Sequence, residues 1–119
     1  MVEDTRVGVV GTNDLCNPKV IAGKHSTHFL IASWYAELGG VDRPGVFHEG
    51  YSHQFVDNEV IAVAKARGAY AHADGAHVRH LHPLFNEDVP MDDTYRKGLS
   101  GFEKDQARFR AREHLWTTP

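Results

Sequence analysis

The stretch Val56–Arg67 has a strongly helical pattern and constrains the fold more than any other segment. Its apolar side chains recur at the spacing that places them on one helix face, and they are Val60, Ile61, Val63 and Ala64. Lys65 and Arg67 carry positive charge where the negative end of a helix dipole would lie, and Gly68 follows as a stop signal. The sequence therefore predicts one well-defined helix at the centre of the chain.

Short apolar runs upstream of this helix predict strands. Arg6–Gly11 is bounded by glycine and is typical of a buried strand. Phe29–Ser33 is a second candidate, and its terminal serine can cap a short helix over Trp34–Leu38 that the following Gly-Gly pair ends. A single helix starting at Thr27 is the alternative, because leucine and tryptophan side chains recur there at four-residue spacing.

Two further elements are predicted downstream. Ala69–Ala73 and Ala76–Leu81 flank an Asp-Gly pair, which is a strong signal for a β-hairpin. Asp92 or Asp93 then caps a long helix that runs to about Trp116 with an apolar stripe along one side. Strands and helices in this arrangement predict an α/β fold with a small mixed sheet, a central helix and a long C-terminal helix.

Composition narrows the class of protein. The 119 residues suit a single domain, residues 1–119, or a piece of one, and a net charge of -3 with a pI near 6.3 argues against nucleic-acid binding. Cys16 is the single cysteine, so an internal disulfide is excluded. No apolar run approaches the ~20 residues of a membrane span and no signal peptide opens the chain, so we expect a cytoplasmic protein. The sequence also lacks both glycine-rich nucleotide-binding fingerprints.

Nine histidines are unusual for this length, and two of them define a candidate metal site. In Ala76–Pro83 an extended chain would place Val78, His80 and His82 on one face, which brings two imidazoles near one ion. The alternative is a hydrogen-bonded histidine pair on a half-buried strand. No complete tetrahedral ligand set is present, so a further ligand would come from a loop, a substrate or another chain.

A second candidate site lies at the start of the central helix. Asp57 suits either a helix N-cap or a general base at the positive end of the helix dipole, and Glu59 could take one of these roles. The preceding loop has polar side chains that suit either substrate contacts or a solvated surface. They are His48, Glu49, Tyr51 and His53.

Three ordered motifs carry a resemblance to a known family. They are Trp34-Tyr35-x-x-x-Gly39-Gly40-Val41-Asp42, His53-Gln54-Phe55-Val56-Asp57-Asn58-Glu59 and Ala76-His77-Val78-Arg79-His80-Leu81-His82-Pro83. Their order and spacing resemble the C-terminal half of family 2 glycosyltransferases with the GT-A fold, especially phage and actinobacterial members. The resemblance extends over roughly Val7 to Trp116 and implies a partial GT-A-like domain.

The resemblance implies metal-assisted transfer of a sugar from a nucleotide-diphosphate donor to an acceptor hydroxyl, with inversion. Asp57 matches the family's general base, and His80 matches the histidine that helps to hold Mn²⁺ or Mg²⁺ on the diphosphate. His82 would orient His80 or replace it as the ligand. The loops that would line the acceptor site contain Trp34, Asp42, His48, Glu49, Tyr51 and His53.

The nucleotide-binding half of the family, with its Asp-x-Asp motif, has no counterpart in this sequence. We therefore expect a homo-oligomer or a partner chain that supplies that half. Two other functions stay open. One is a cupin-like metal-binding protein, because His80-x-His82-x-x-x-x-Glu87 resembles the cupin ligand spacing. The other is a non-catalytic interaction module related to glycosyltransferases.

Overall fold

A small mixed sheet of three strands organises the fold in the computed structural model, which describes residues 6–15, 17–52, 54–78 and 91–117. The strands are β1 (Val9–Asn13), β2 (Phe29–Ile31) and β3 (Tyr70–His77), in the order β2-β1-β3. In the central strand, Val10 lies opposite Leu30 of antiparallel β2 and opposite Ala71 of parallel β3. The predicted small mixed sheet is confirmed.

Six helices occur in the same described ranges, and each is too short or too polar to span a lipid bilayer. They are α1 (Pro18–Ile21), α2 (Ser33–Leu38), α3 (Val56–Ala66), α4 (Asp93–Leu99), α5 (Phe102–Arg112) and α6 (His114–Thr117). Together with the sheet they form a compact mixed α/β structure.

Helix α3 confirms the predicted central helix and contributes most of the core. The buried core side chains come from β1, α2, α3 and the segment before β3, and they are Val9, Tyr35, Val60, Ile61, Ala64 and Ala69. Gly68 has a φ of +68°, so the chain leaves the helix through a left-handed residue that favours glycine. The apolar pattern of the sequence therefore marks the face that is buried.

The segment before α3 also follows the prediction in its main elements. β2 is a strand and α2 a separate helix, so the alternative of one helix starting at Thr27 is wrong. The predicted cap at Ser33 is also wrong, because Ala32 occupies the N-cap position and Ser33 begins the helix. Tyr35 of α2 lies in the core directly over Gly8, where a side chain would overlap its ring.

The predicted hairpin at Asp74 and Gly75 is wrong, because β3 runs through both residues as one strand that pairs in parallel with β1 at Ala73 and again at His77. The register shifts between Thr12 and Asn13, so the Asp-Gly pair lies in a bulge instead of a turn. Asn13 stabilises this bulge, since its side-chain amide donates to the Asp74 carboxylate at 3.2 Å.

The predicted single long C-terminal helix is also wrong. Three helices, α4, α5 and α6, occupy the described part of that stretch, with the first break at Ser100 and Gly101. A side chain at Gly101 would overlap the Ser52 hydroxyl, so the loop before α3 approaches the helical segment closely here. That tertiary contact, together with the low helix propensity of glycine, explains the break.

Candidate functional site

Asp57 lies in the first turn of α3 and its carboxylate contacts the loop after α1. Its Oδ2 atom lies 3.3 Å from His25 Nε2, and its Oδ1 atom accepts a hydrogen bond from the Asn58 backbone at 3.0 Å. The N-cap interpretation of Asp57 is wrong, because Phe55 holds that position with a φ of 66° and no side-chain cap. Asp57 is therefore paired with an imidazole, and a quarter of its side chain, 25%, is exposed to solvent.

An open cleft of about 520 Å³ includes Asp57 in its wall, and we call it the Asp57 cleft. Its lining residues are Thr27, His28, Phe29, Phe47, Gln54, Val56 and Asp57. Phe29 and Phe47 stack with their ring centroids 6.3 Å apart, and Phe47 is 49% exposed. The cleft thus places a carboxylate and hydrogen-bonding groups beside an exposed aromatic surface, which suits a ligand with both polar and apolar faces.

A buried ion pair connects α3 to α5. Glu59 is buried and accepts hydrogen bonds from Arg112 Nε at 2.6 Å and Nη2 at 3.1 Å. The same guanidinium donates to both oxygens of Asp42 at 2.9 and 3.0 Å, and the Tyr51 hydroxyl donates to Glu59 at 2.9 Å. The four side chains form one network that attaches the loop before α3 to both helices.

Asp42, Arg112 and Tyr51 of this network have pKa values that lie far from the physiological range. Hydrogen bonds from Arg112, and then from Arg43, hold the pKa of Asp42 well below its usual range. Hydrogen bonds to Asp42 and Glu59 raise the pKa of Arg112, and burial followed by the bond to Glu59 raises the pKa of Tyr51. These groups therefore stay ionised or, for Tyr51, neutral near pH 7, which suits a positioning role.

A second buried carboxylate holds the same loop. Asp105 of α5 is fully buried and accepts hydrogen bonds from the Ser52 backbone and hydroxyl, both at 2.9 Å, and from the Gln54 backbone at 2.8 Å. Because a buried carboxylate is costly without partners, these bonds specify how the loop lies on α5. The loop that leads into α3 is therefore fixed by a helix more than 50 residues further along the chain.

A wide cleft of about 750 Å³ lies between this loop and α5, and we call it the basic cleft. Its ionisable lining side chains are those of Arg43, His48, Glu49, Lys104, Arg108 and Arg112. His48 is buried, and its Nδ1 atom accepts a hydrogen bond from the Gly50 backbone at 2.8 Å. Burial, followed by the charges of Arg112 and Arg43, lowers the pKa of His48, so the ring is neutral near pH 7.

The structure separates the predicted base, Asp57, from the described residues that the sequence assigned to the acceptor site, and places those residues in different parts of the molecule. Asp57 lies in the Asp57 cleft, His48 and Glu49 line the basic cleft, and Asp42 and Tyr51 belong to the buried network. Trp34 lines neither of these two clefts within the described residues, and packs edge-on against Tyr35 with the Arg6 guanidinium 4.1 Å above its ring. Their part in acceptor binding stays a prediction.

The three remaining predicted site residues, His53, His80 and His82, lie outside the described residues. Among the residues that the structure does describe, no group of three or more His, Cys, Asp or Glu side chains could hold a metal ion. The predicted Mn²⁺ or Mg²⁺ site at His80 and His82 therefore stays a prediction from the sequence.

Sequence reasoning missed the side chains that connect α5 to the loop. Asp105, Arg108 and Arg112 recur at spacings of three and four residues, so they share one face of α5. That polar stripe is a signal that the sequence contains. The pairing of Asp57 with His25 has no such local signal, because 32 residues separate the two positions along the chain.

Comparison of the chain with protein-family models, with curated proteins and with solved structures gives no match. The described residues define a mixed α/β protein with an Asp57 cleft, a basic cleft and a buried ionic network between α3 and α5. Any function for this chain therefore rests on its own side chains and motifs.

Proposed function

We propose that this chain is a glycosyltransferase, or the acceptor-binding half of one. It would transfer a sugar from a nucleotide-diphosphate donor to an acceptor hydroxyl. One observation carries the proposal: the Asp57 carboxylate, paired with His25, lies in the wall of an open cleft beside the exposed ring of Phe47. The three ordered motifs of the sequence support the same class of enzyme, with a GT-A-like domain as the finer description of the fold.

In this proposal Asp57 acts as the general base. Its carboxylate is partly exposed, so an acceptor hydroxyl can approach it, and the first turn of α3 favours a negative charge. As the acceptor oxygen bonds to the anomeric carbon, its proton passes to Asp57. The bond from that carbon to the diphosphate oxygen breaks, and the nucleoside diphosphate leaves with the electron pair. A single displacement of this kind inverts the anomeric centre.

His25 acts as a positioning residue for the base. Its Nε2 atom lies 3.3 Å from the carboxylate, and its side chain is only 14% exposed, so it restricts the orientation of Asp57. A base must lie within hydrogen-bond reach of the proton that it removes, so this restriction favours productive geometry.

The aromatic wall of the cleft suits a saccharide. A sugar ring has an apolar face of C–H groups, which can pack on the exposed ring of Phe47, itself supported by Phe29. Thr27 and Gln54 in the same wall have groups that can hydrogen-bond to ring hydroxyls. We therefore assign the acceptor sugar to this cleft.

Donor binding requires residues beyond these. A divalent metal, Mn²⁺ or Mg²⁺, supplies charge neutralisation on the diphosphate leaving group when it is bound, and the resemblance assigns it to His80 with His82 beside it. The nucleotide-binding half would come from a partner chain or from a second copy. Both statements extend the proposal from the sequence motifs alone.

The two alternative functions, a cupin-like protein and a non-catalytic module, agree with the described fold to different degrees. A cupin-like protein needs many regular short strands, whereas the described ranges contain one three-stranded sheet beside six helices. The described fold therefore does not favour it. A non-catalytic module would bind a saccharide in the Asp57 cleft without transfer, and an activity assay distinguishes it from the enzyme.

The test is sugar transfer by the protein, produced alone and together with the products of neighbouring genes. Nucleotide sugars, Mn²⁺ and a panel of saccharide acceptors are supplied, and the glycosylated product is measured by mass spectrometry. Asp57→Asn keeps the size of the side chain but removes the base, so we expect kcat to fall about 10²- to 10⁴-fold with little change in KM. His25→Gln should have a smaller effect of the same kind.

Asp93→Asn is the matched control, because this carboxylate is fully exposed on α4 and contacts only Arg96 among the described residues. Its activity should equal that of the unmodified protein. Full activity of Asp57→Asn would refute the assignment of the base. Saccharide binding that Phe47→Ala abolishes, with no transfer under any of these conditions, would instead identify the non-catalytic module.

A further inference from the structure

The basic cleft contains two cationic side chains that the ionic network does not neutralise. Within the described part of the chain, neither Lys104 nor Arg108 forms an ion pair. The Nε atom of Arg108 is buried and has no hydrogen-bond partner there. Because Arg108 also lines the cleft, an anion bound there would neutralise a guanidinium charge that no carboxylate of the described residues compensates.

The neighbouring cations differ in this respect. Arg112 is neutralised by Asp42 and Glu59, while Arg43 shares the Asp42 carboxylate at 3.2 Å. Glu49 is the single acidic side chain among the described lining residues of the cleft. Positive charge therefore predominates on the α5 side of the cleft. The neighbouring His48 ring responds to it, because burial first, and then the charges of Arg112, Arg43 and Arg108, lower its pKa.

The loop packs directly on Arg108 through a glycine. A side chain at Gly50 would place its first carbon 2.6 Å from His48 Cε1 and 2.9 Å from the Arg108 guanidinium carbon. Only a residue without a side chain permits this contact. The guanidinium is therefore held by the loop before any ligand binds, which reduces the entropy lost on binding.

The size of the cleft limits the kind of ligand. Its volume of about 750 Å³ falls within the range of about 300–1,000 Å³ that is typical of small-molecule sites. An extended polyanion needs a broad basic surface, whereas this chain has a net charge of -3. A small ligand with one concentrated negative group fits both observations.

We propose that the basic cleft binds the oxyanion group, phosphate or carboxylate, of a small ligand through Arg108 and Lys104. Arginine binds both groups with two parallel hydrogen bonds, and lysine adds a point charge. The site is separate from the Asp57 cleft in its lining residues and does not depend on the glycosyltransferase proposal. The proposal gives a role in ligand binding to Arg108 and Lys104, two side chains that are not part of the buried network.

The test is titration of the full chain with pyrophosphate and, separately, with citrate, followed by calorimetry and by backbone amide NMR. We expect saturable binding of at least one anion in the millimolar range or tighter, with shifts at Gly50 and along α5. Arg108→Gln and Lys104→Gln should each weaken binding about tenfold, since each removes one charge-assisted contact. Added sodium chloride should weaken it further.

Arg96→Gln is the control for loss of a positive charge, because Arg96 is exposed on α4, outside the cleft lining. Gly50→Ala keeps every charge but displaces the guanidinium, so it should weaken binding while circular dichroism shows an intact fold. Tighter binding of pyrophosphate than of citrate would assign the ligand group to a phosphate, and the reverse order to a carboxylate. No saturable binding of either anion, or equal binding by Arg108→Gln and Arg96→Gln, would overturn the proposal.

Discussion

At the scale of single residues, Glu59 and Arg112 determine how the loop and the C-terminal helices fit together. Both side chains are largely buried, with 6% and 12% exposed, and each of the guanidinium nitrogens donates to a carboxylate oxygen. Burying two charges is costly, so the pair contributes little net stability compared with an apolar pair of the same size. Its main effect is to penalise any arrangement that leaves one charge without its partner.

This view makes a prediction for Arg112→Met. Glu59 would stay buried without a cation, so the free energy of unfolding should fall by about 3–5 kcal/mol. The double variant Arg112→Met with Glu59→Met should recover a large part of that loss, because neither charge remains. The free energy of unfolding of Arg112→Lys should lie between those of Arg112→Met and the double variant, since an ammonium cannot make the bidentate contacts. Urea unfolding at pH 7 measures all three differences.

Arg110→Met is the appropriate comparison, because Arg110 is an exposed residue of the same helix. Its free energy of unfolding should change by no more than about 0.5 kcal/mol. If Arg110→Met and Arg112→Met unfold at the same urea concentration, the buried pair does not have the role assigned to it.

At the residue level, the sequence named candidate polar residues but not the distant side chains that they contact. Asp57, His48 and Glu49 were recognised as polar residues around the start of α3, and the structure places each of them in the wall of a cleft. The contacts of Arg112 with Glu59 and Asp42 join positions 53 and 70 residues apart. Neither periodicity nor spacing contains information on which distant charges meet, so that network could not be predicted.

At the scale of secondary structure, local signals were reliable where local and tertiary preferences agree. Helix α3 has its apolar face on the core and its stop at Gly68, as the pattern predicted. The bulge at Asp74 and Gly75 shows the opposite case, because pairing of β3 with β1 overrides a turn signal. The break before α5 is a third case, where a neighbouring loop changes the course of a helical stretch.

Gly101 should therefore be sensitive to the smallest substitution. In Gly101→Ala the added methyl group would overlap the Ser52 hydroxyl and displace it from the buried Asp105 carboxylate. We expect the free energy of unfolding to fall by about 1–3 kcal/mol, even though alanine favours helices, because a buried hydrogen bond to a charge is lost. Thermal and urea unfolding provide the measurement.

Two further variants show whether the contact with Ser52 is the cause. Gly75→Ala is the control, because nothing lies within 4 Å of an added methyl group there, and it should change stability by no more than about 0.5 kcal/mol. Ser52→Ala removes the hydroxyl that Gly101→Ala would strike, so the double variant should lose less than the sum of the two single losses. Strict additivity would contradict the proposed contact.

At the scale of the whole molecule, α5 and α6 form part of the same packed unit as α3. Aromatic rings continue from Phe55 at the start of α3 to Phe109 of α5 and Trp116 near the chain end, with centroid separations of 5.5 and 5.4 Å. Helix α6 also contacts α3. The loop that forms one wall of the basic cleft is thus held between the core helix and the C-terminal segment.

This arrangement explains why the fold class was predictable and the clefts were not. The mixed α/β class follows from short-range patterns, each of which lies within one element. The basic cleft requires residues 43–50 and 104–112 together, and the Asp57 cleft requires residues 27–29, 47 and 54–57. Such combinations depend on the tertiary packing of α5 and of the His25 loop, which no local pattern specifies.

The last prediction follows from the position of α5 in this unit. A chain ended after Ser100 would lose Asp105, Phe109 and Arg112 together, leaving Glu59 buried without its cation and the loop without its anchor. We expect this variant to lose cooperative thermal unfolding and to expose apolar surface. Removal of one ion-pair partner alone should cost about 3–5 kcal/mol, and the whole free energy of unfolding of a domain is only about 5–15 kcal/mol. Circular dichroism and binding of an apolar fluorescent dye measure both effects.

A chain truncated after Thr117 is the control and should melt like the full protein. If the shorter variant also melts in one sharp transition at a similar temperature, the sheet and α3 form an independent unit, and the helices beyond Ser100 are an addition to it.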